Sequence, residues 1–584
     1  MKSKKKCKGH PFFDCDKIAT AIRHALLSDL DRHDKYSVGH NFARKYREVQ
    51  DESILKKYVS PSKKLDDVET ETFDKFLSIN NHIGQVNRNF RPPCHSVIKR
   101  HFSPLELTLE RARVLMHWVL GEFWYDELFH ACKHGPGMTI GVTYSDTSPD
   151  RKFTYPISTT SNAKQLFEMY LNFDTNVKEA IEVLNAKSTV VERYMICAGS
   201  RATTVPKTNS SLRMIAIEPT ANMYLQQGLM TLLYDRLKKV GLDVTSLPER
   251  HAELAYESSV SGSNSTIDFS SASDCVSIEL LRWLLPPKWF SIVNDLRCPT
   301  MNIRGEDVNL EMISTMGNAG TFPLETLVFW TIGVASIMLH TKQNPNTVLS
   351  DPSDRAAMSV FGDDCILPTD YALSFIDMAE QVGFLVNKEK SFFTRSNKFR
   401  ESCGSDFLHG RSIRPFFLKG PTSTKKSALE PWLYITLNGL MKKYISYFGD
   451  LTYCYDKQLF LLIFQLFREN RLLVKVVPSF YPDDSGLKFF PDIRRFLSCY
   501  DFPYSKITTN EHGLHRFSFV RFQYWDQNTR DPLVYLSSFV RRHTKWTCYN
   551  TQRPERLFLN TFQRILETDS SGSDDYPIRR KGGY

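Results

Sequence analysis

Val360-Phe361-Gly362-Asp363-Asp364-Cys365-Ile366-Leu367 places two adjacent carboxylates at a glycine break between short β-type apolar runs. The pattern predicts strand, tight turn, strand. Like charges side by side at an apolar hairpin repel and lose solvation, so they are tolerated most readily where a divalent cation neutralises them. Gly362 lacks a Cβ, which permits an unusual φ and lets another backbone, such as a growing nucleic-acid end, come close. Gly and Asp are also ordinary turn residues, and chance puts this tripeptide in roughly one chain in ten of this length. The hairpin therefore decides the fold only in company.

The chain of 584 residues exceeds one ordinary core, and its length suggests about three to five folding units, fewer if one enzyme body is large. Its 41% hydrophobic and 24% charged residues describe a globular protein. A net charge of +10 favours an anionic partner without identifying it. Twelve cysteines run from Cys7 to Cys548 with no CxxC pair and no Cys/His cluster at zinc spacing. Reduced structural thiols in a cytosol are expected. The basic N-terminus lacks an apolar h-region, so no signal peptide is expected. The apolar stretch at about 324–339 contains polar residues and is short for a bilayer, which predicts a buried helix and no membrane partner.

Residues 1 to about 130 mix charged helix-like segments with loops, including a helical pattern over 105–124. Strand-type runs follow around 188–192 and 203–206, then a helix over 222–240 with Leu225, Leu229, Leu232, Leu233 and Leu237 as its buried stripe. Residues 258–265 read as a polar linker ahead of a strand at 266–269. Pro286 and Pro287 divide two helical runs, 276–285 and 288–296. The Asn and Pro residues of 343–354 suggest a surface loop. Beyond Pro415 the chain turns helix-rich and aromatic, with a mixed aromatic and basic region at 516–546. The tail 568–584 has a composition expected to be disordered.

Four segments keep the hairpin company. Asp268 ends a predicted strand and Asp274 precedes a helix, in Thr266-Ile267-Asp268-Phe269-Ser270-Ser271-Ala272-Ser273-Asp274. If the fold brings Asp268 to Asp363, the pair is suited to hold two Mg²⁺ ions about 3.5–4 Å apart. The plainer readings are a turn carboxylate for Asp268 and a helix cap for Asp274. Ser314-Thr315-Met316-Gly317-Asn318-Ala319-Gly320 is a small-residue loop in which Asn318 offers a donor and an acceptor to a sugar hydroxyl, and Gly317 permits close backbone approach. Arg201, Lys207 and Arg213 flank a strand-loop suited to a triphosphate, although most such charges form a solvated face. Lys388 and Lys390 lie in a segment where a lysine would be placed to protonate departing pyrophosphate.

In order, these segments are a basic loop, a strand-end Asp, a glycine loop with Asn, the Gly-Asp-Asp hairpin, a lysine segment, and the turn Phe399-Arg400-Glu401-Ser402-Cys403-Gly404. The series resembles the palm of RNA-dependent RNA polymerases. More narrowly, it is similar to the replicase subunit of small positive-strand RNA bacteriophages, the Qβ-like leviviruses, from about Arg201 to Pro415.

That resemblance implies an α+β right-hand fold with fingers, a palm of antiparallel sheet plus helices, and a thumb. The expected division is 1–215 for the N-terminal region and fingers, 216–415 for the palm with a fingers insertion near 297–312, and 416–584 for the thumb and C-terminal region. It implies Asp268, Asp363 and Asp364 as metal ligands for two Mg²⁺ ions, with Mn²⁺ as a substitute, and Lys390 rather than Lys388 as the general acid. Lys207 and Arg213 would hold the triphosphate, Asp274 and Asn318 would sense the ribose 2′-hydroxyl, and Ser314 and Gly317 would also belong to the nucleotide-binding site. The implied activity is primer-independent synthesis of RNA on a single-stranded RNA template from NTPs, replicating a phage genome in the cytoplasm of the infected bacterium. Host elongation factors Tu and Ts are the implied partners, with a ribosomal protein as a further candidate. Two other readings stand beside it: a reverse transcriptase, which shares the palm, and a non-catalytic RNA-binding protein with a polymerase fold. The pair Asp274 and Asn318 argues against the first, and the intact acidic trio against the second.

Overall fold

The computed structural model describes residues 13–36, 40–61, 66–93, 102–142, 147–448, 458–479 and 481–488, with short strands at 504–505, 508–509, 515–519 and 561–565. The tail 568–584 and most of the region 516–546 lie outside the described residues. Helices and mostly antiparallel sheets alternate along the chain, so the class is α+β.

The β-branched and apolar residues flanking the carboxylates form a three-stranded antiparallel sheet in the order Asn264–Ile267, Asp364–Pro368, Ser359–Phe361. Behind it runs the helix Thr321–Thr341, apolar on every face and therefore suited only to a fully buried position. By length and composition this helix would also cross a membrane, yet 89% of its most apolar window is buried inside the protein. It packs against the helices Pro104–Leu120 and Ala372–Gln381. Phe329, Trp330 and Leu327 are wholly buried, and a side chain of this kind contributes about 1.5–3 kcal/mol on burial. Pro323 falls in the first turn, where its missing N–H breaks no bond, so the helix starts cleanly at Thr321.

A second sheet, ordered Leu212–Ile217, Gly199–Pro206, Thr300–Ile303, Glu306–Asn309, pairs the basic strand-loop with the hairpin at 300–309. A third is the hairpin Phe399–Ser402 and Ser405–Leu408 with the short strand Arg411–Ser412. Apolar side chains between Phe73 and Phe384 make one core. A separate core joins the N-terminal helices to residues 413–487, with Ile22, Leu26 and Ile54 packed among Leu433, Phe460 and Phe467.

Three sequence expectations are corrected. Residues 258–261 belong to the helix Leu247–Ser261, and the only break before the strand is at Gly262, a left-handed cap at φ 77°. Ser258 and Ser259 are polar but fully buried, and Ser259 Oγ accepts the Gly410 N–H. The segment 343–354 holds two short helices, Pro345–Ser350 and Pro352–Arg355. Asn344 and Asp351 cap them from the position before each proline, so the loop-like composition was a pair of helix starts. Residues 188–192 form no strand, and Val191 is 94% exposed; the strand lies further on at Tyr194–Ile196, paired in parallel with Ile157–Thr159.

Candidate active site

Strand register brings the separated carboxylates together. Ile267 pairs with Cys365 and Phe361 with Asp364. Asp268, the next residue after Ile267, therefore lies beside Asp364, with Asp363 at the turn. Gly362 adopts φ 63°, and a Cβ there would stand 2.5 Å from the Phe322 ring. Its N–H donates to Thr326 Oγ1 at 3.0 Å. The space that glycine frees is thus taken by Phe322 and not by an approaching strand.

The three carboxylates are unequal. Asp363 is exposed, whereas Asp268 and Asp364 are half-buried. Burial raises the Asp268 carboxyl, opposed by Lys390 and reinforced by Asp363. Burial pushes Asp364 up to about 7, and the charge of Asp363 adds to it. Each is held on one oxygen: Asn387 Nδ2 donates to Asp268 Oδ2 at 2.7 Å, and the Cys403 N–H donates to Asp364 Oδ2 at 3.0 Å. No three His, Cys, Asp or Glu side chains among the described residues are grouped closely enough to hold a metal ion as they stand. The donor set nevertheless fits a hard divalent cation, because three carboxylates that repel one another while partly desolvated gain most from one.

Cations border the acidic group. The segment carrying Lys390 is stitched to the strand end, with the Asn387 N–H donating to the Asp268 carbonyl at 2.9 Å and the Asp268 N–H donating to Ser391 Oγ at 3.1 Å. Lys390, Lys207 and Arg213 are all exposed. Lys207 and Arg213 stand on paired strands, Val205 opposite Arg213. Partial burial holds the Lys207 ammonium low, as do the repulsions of Arg213 and Lys390; the attraction of Asp268 and Asp363 acts the other way. One site therefore contains both signs. Arg400, by contrast, is wholly buried and spends its guanidinium on backbone carbonyls, Asn264 O at 2.7 Å and Asn397 O at 2.6 Å among them. Its role is to pin the third hairpin to the central sheet.

Asp274 closes a single 3₁₀ turn, Ala272–Asp274, entered through Ser271 at φ 53°. It caps no helix, because Ser277 caps the one that follows, Ile278–Leu284. Burial pushes Asp274 up to about 7, against the Met316 N–H and the charge of Arg213. Its Oδ1 and the Ser314 Oγ are both sealed from solvent without a hydrogen-bond partner. Buried orphans of this kind call for an explanation, and an absent ligand hydroxyl is one. Asn318 Oδ1 accepts the Gly320 N–H at 2.8 Å, which spends its acceptor on the loop and leaves its amide N–H groups. Gly317 has a packing role: at φ 117°, a Cβ would stand 2.2 Å from the Ala216 carbonyl, so the close backbone approach it permits is that of the neighbouring strand.

Three residues escaped sequence reasoning. Glu325 lies buried in the first turns of the central helix, pushed well above the carboxylate range by burial and by Asp363 and Asp274, with Arg213 opposing. Asn387 was passed over in favour of the lysines beside it. His251 is fully buried, with Nδ1 bonded to Ser402 Oγ at 2.8 Å and Nε2 to Ser359 Oγ at 2.9 Å, so one imidazole bridges the hairpin of Cys403 and the strand leading to Asp363. Burial lowers it to about 4, which keeps it neutral. Only the glutamate's place just after a glycine loop was a readable signal.

The sequence has relatives among known proteins. The RNA-directed RNA polymerase beta chain of Enterobacteria phage fr is 31% identical over 350 residues, 59% of this chain and 59% of that one. The RNA-directed RNA polymerase subunit beta of Qbeta virus (strain MX1) is 30% identical over 421 residues, 69% of this chain and 66% of that one. The chain thus spans about three-fifths of the length of these curated relatives. A solved structure, the RNA-dependent RNA polymerase from bacteriophage phi12, aligns over 68% of this chain and 75% of that one at 10% identity and a TM-score of 0.35, a likeness too distant to add to the assignment. Residues 17–432 match the family described as RNA replicase, beta-chain, and the chain belongs to that family.

Proposed function

We propose that this chain is a template-directed RNA polymerase that copies single-stranded RNA from NTPs and replicates a positive-strand phage genome in the cytoplasm of the infected bacterium. The register of Ile267 with Cys365 carries the reading: it sets Asp268 beside Asp363 and Asp364, within the electrostatic reach of Lys207 and Lys390. A cleft with carboxylates facing a rim of lysine and arginine suits phosphoryl transfer, which needs positioning and charge stabilisation more than covalent help.

Asp268, Asp363 and Asp364 would hold two Mg²⁺ ions, with Mn²⁺ as a substitute; bound there, such ions activate the attacking 3′-hydroxyl and neutralise the leaving pyrophosphate. Asn387 and Cys403 orient two of those carboxylates. Lys207 and Arg213 grip the triphosphate, and Lys390 gives the departing pyrophosphate its proton. Asp274 Oδ1 and Ser314 Oγ accept and donate at the ribose hydroxyls, with the Asn318 amide beside them. That need for a hydroxyl partner favours ribonucleotides over the deoxyribonucleotides of a reverse transcriptase.

Residues 1–215, 216–415 and 416–584 serve as fingers with the N-terminal region, palm, and thumb with the C-terminal region. Host elongation factors Tu and Ts, and a ribosomal protein, are the partners that the family suggests. The test is labelled RNA synthesis by the purified chain with Mg²⁺ and template, with and without those factors, comparing ribo- and deoxyribonucleoside triphosphates. Ribonucleotide incorporation abolished by Asp363→Asn supports the reading. RNA binding without synthesis in any arm leaves the non-catalytic alternative standing.

A further inference from the structure

A second group of cations lies outside the cleft just described. The segment 416–420 is zipped to the N-terminal region: Gln50 bonds both the N–H and the carbonyl of Phe416, the Leu418 N–H donates to the Ile54 carbonyl at 2.8 Å, and a Cβ on Gly420 would stand 2.0 Å from the Val59 carbonyl. This pairing puts Lys57 and Arg414 against one ring, with Lys57 Nζ 4.5 Å and the Arg414 guanidinium 5.0 Å from the centroid of Phe417. The same stretch of N-terminal chain touches the loop of Lys207, because the Asn209 N–H donates to the Lys56 carbonyl at 2.9 Å.

Arg414 is matched by Asp406 at 2.8 Å and Glu401 at 3.5 Å. Lys57 and Lys419 are exposed and form no ion pair among the described residues. Partial burial and the repulsion of Arg414, Lys419 and Lys390 hold the Lys57 ammonium low, with Asp406 opposing. A fold that gathers cations at a cost in mutual repulsion has a use for an anion there. Lys57 and Arg414 meet at one ring and Lys419 lies two residues along the chain from it, a compact grouping that suits a compact polyanion better than an extended strand of RNA.

We propose that Lys57, Lys419 and Phe417 form a second polyphosphate site, continuous with Lys207 and Lys390, that takes the triphosphate of an arriving nucleotide or the pyrophosphate leaving the cleft. The inference rests on the polymerase reading for its ligand. It also gives the N-terminal region a part in handling nucleotides.

The test uses the full chain with Lys57→Ala, Lys57→Glu and Lys57→Arg. Loss of one exposed charge contact is expected to raise the KM for NTP, the Ki of added pyrophosphate, or both, by roughly fivefold. The glutamate should exceed the alanine and the arginine should restore the parent values. A shift in KM alone assigns the site to arriving nucleotide, and a shift in Ki alone to released pyrophosphate. Weakened template binding with both nucleotide constants unmoved would overturn the proposal in favour of an RNA contact, and no change in any of the three would overturn it outright. If the parent chain incorporates no nucleotide, the polymerase reading fails separately. Calorimetric titration with pyrophosphate then still decides: weaker binding by Lys57→Glu supports the site, and equal binding removes it. Lys238→Ala, at an exposed helix end and not among the charges that act on Lys57, is the control.

Discussion

The backbone N–H of Cys403 donates to Asp364 Oδ2 at 3.0 Å. Cys403 at φ 47° and Gly404 at φ 73° are the two left-handed residues of the tight turn between Phe399–Ser402 and Ser405–Leu408. That turn aims an N–H at a carboxylate. The third hairpin therefore fixes which oxygen of Asp364 is engaged by the backbone and which is left for another partner.

Gly404→Val tests this link. A branched side chain at φ 73°, beside the Arg414 guanidinium 3.3 Å away, should cost about 1–3 kcal/mol and shift the turn. The expected outcome is a lower denaturation midpoint together with a larger loss of nucleotide incorporation than that stability change alone would cause. Incorporation that survives intact in the folded variant would detach the turn from Asp364.

His251→Phe keeps the ring volume and removes both bonds, leaving the Ser402 and Ser359 hydroxyls buried without their partner. Each orphaned hydroxyl costs about 1–3 kcal/mol, so urea unfolding should show a loss of roughly 2–6 kcal/mol. A loss under about 1 kcal/mol would mean that the imidazole bridge contributes little.

How much of this was legible in the chain depends on distance along it. Asp268, Asp274, Asp363 and the loop Ser314–Asn318 were readable because each sits in a local pattern of strand end or glycine turn. His251 was not, since its meaning comes from serines 108 and 151 residues away. The core shared by Ile22, Ile54 and Leu433 was equally hidden, because apolar periodicity predicts that a face is buried but not against what. The helix starts at Asn344 and Asp351 are present in the sequence, but a capping residue followed by proline has the composition of a loop as much as of a helix start.

The pH dependence of stability follows from Asp274 and Asp364. Both carboxyls are raised from 3.8 to about 7 in the folded chain, so the native state binds more protons than the unfolded one across that window. Stability of the metal-free protein should therefore be greatest at the acid end and fall as pH rises through the folded values. Melting temperatures in a chelator across this range should decline, and Asp274→Asn should flatten part of the decline. A melting temperature that rises over the same window would contradict the assigned shifts.

Gly362→Ala places a methyl 2.5 Å from the Phe322 ring at a left-handed φ. The cost should be about 2–4 kcal/mol, part strain and part overpacking. Phe322→Ala in the same chain should recover the packing share and not the strain. Full additivity of the two losses in a double-mutant cycle would show that ring and glycine do not interact.

The central claim is that Asp268 and Asp363, 95 residues apart, meet at one divalent-cation site, and it is tested most directly by iron(II) cleavage. With ascorbate and peroxide, iron bound in place of Mg²⁺ should cut the backbone near both 268 and 363. Both cuts should fade together with excess Mg²⁺ and in Asp363→Asn. Cleavage at one of the two positions without the other, or at neither, would contradict the account.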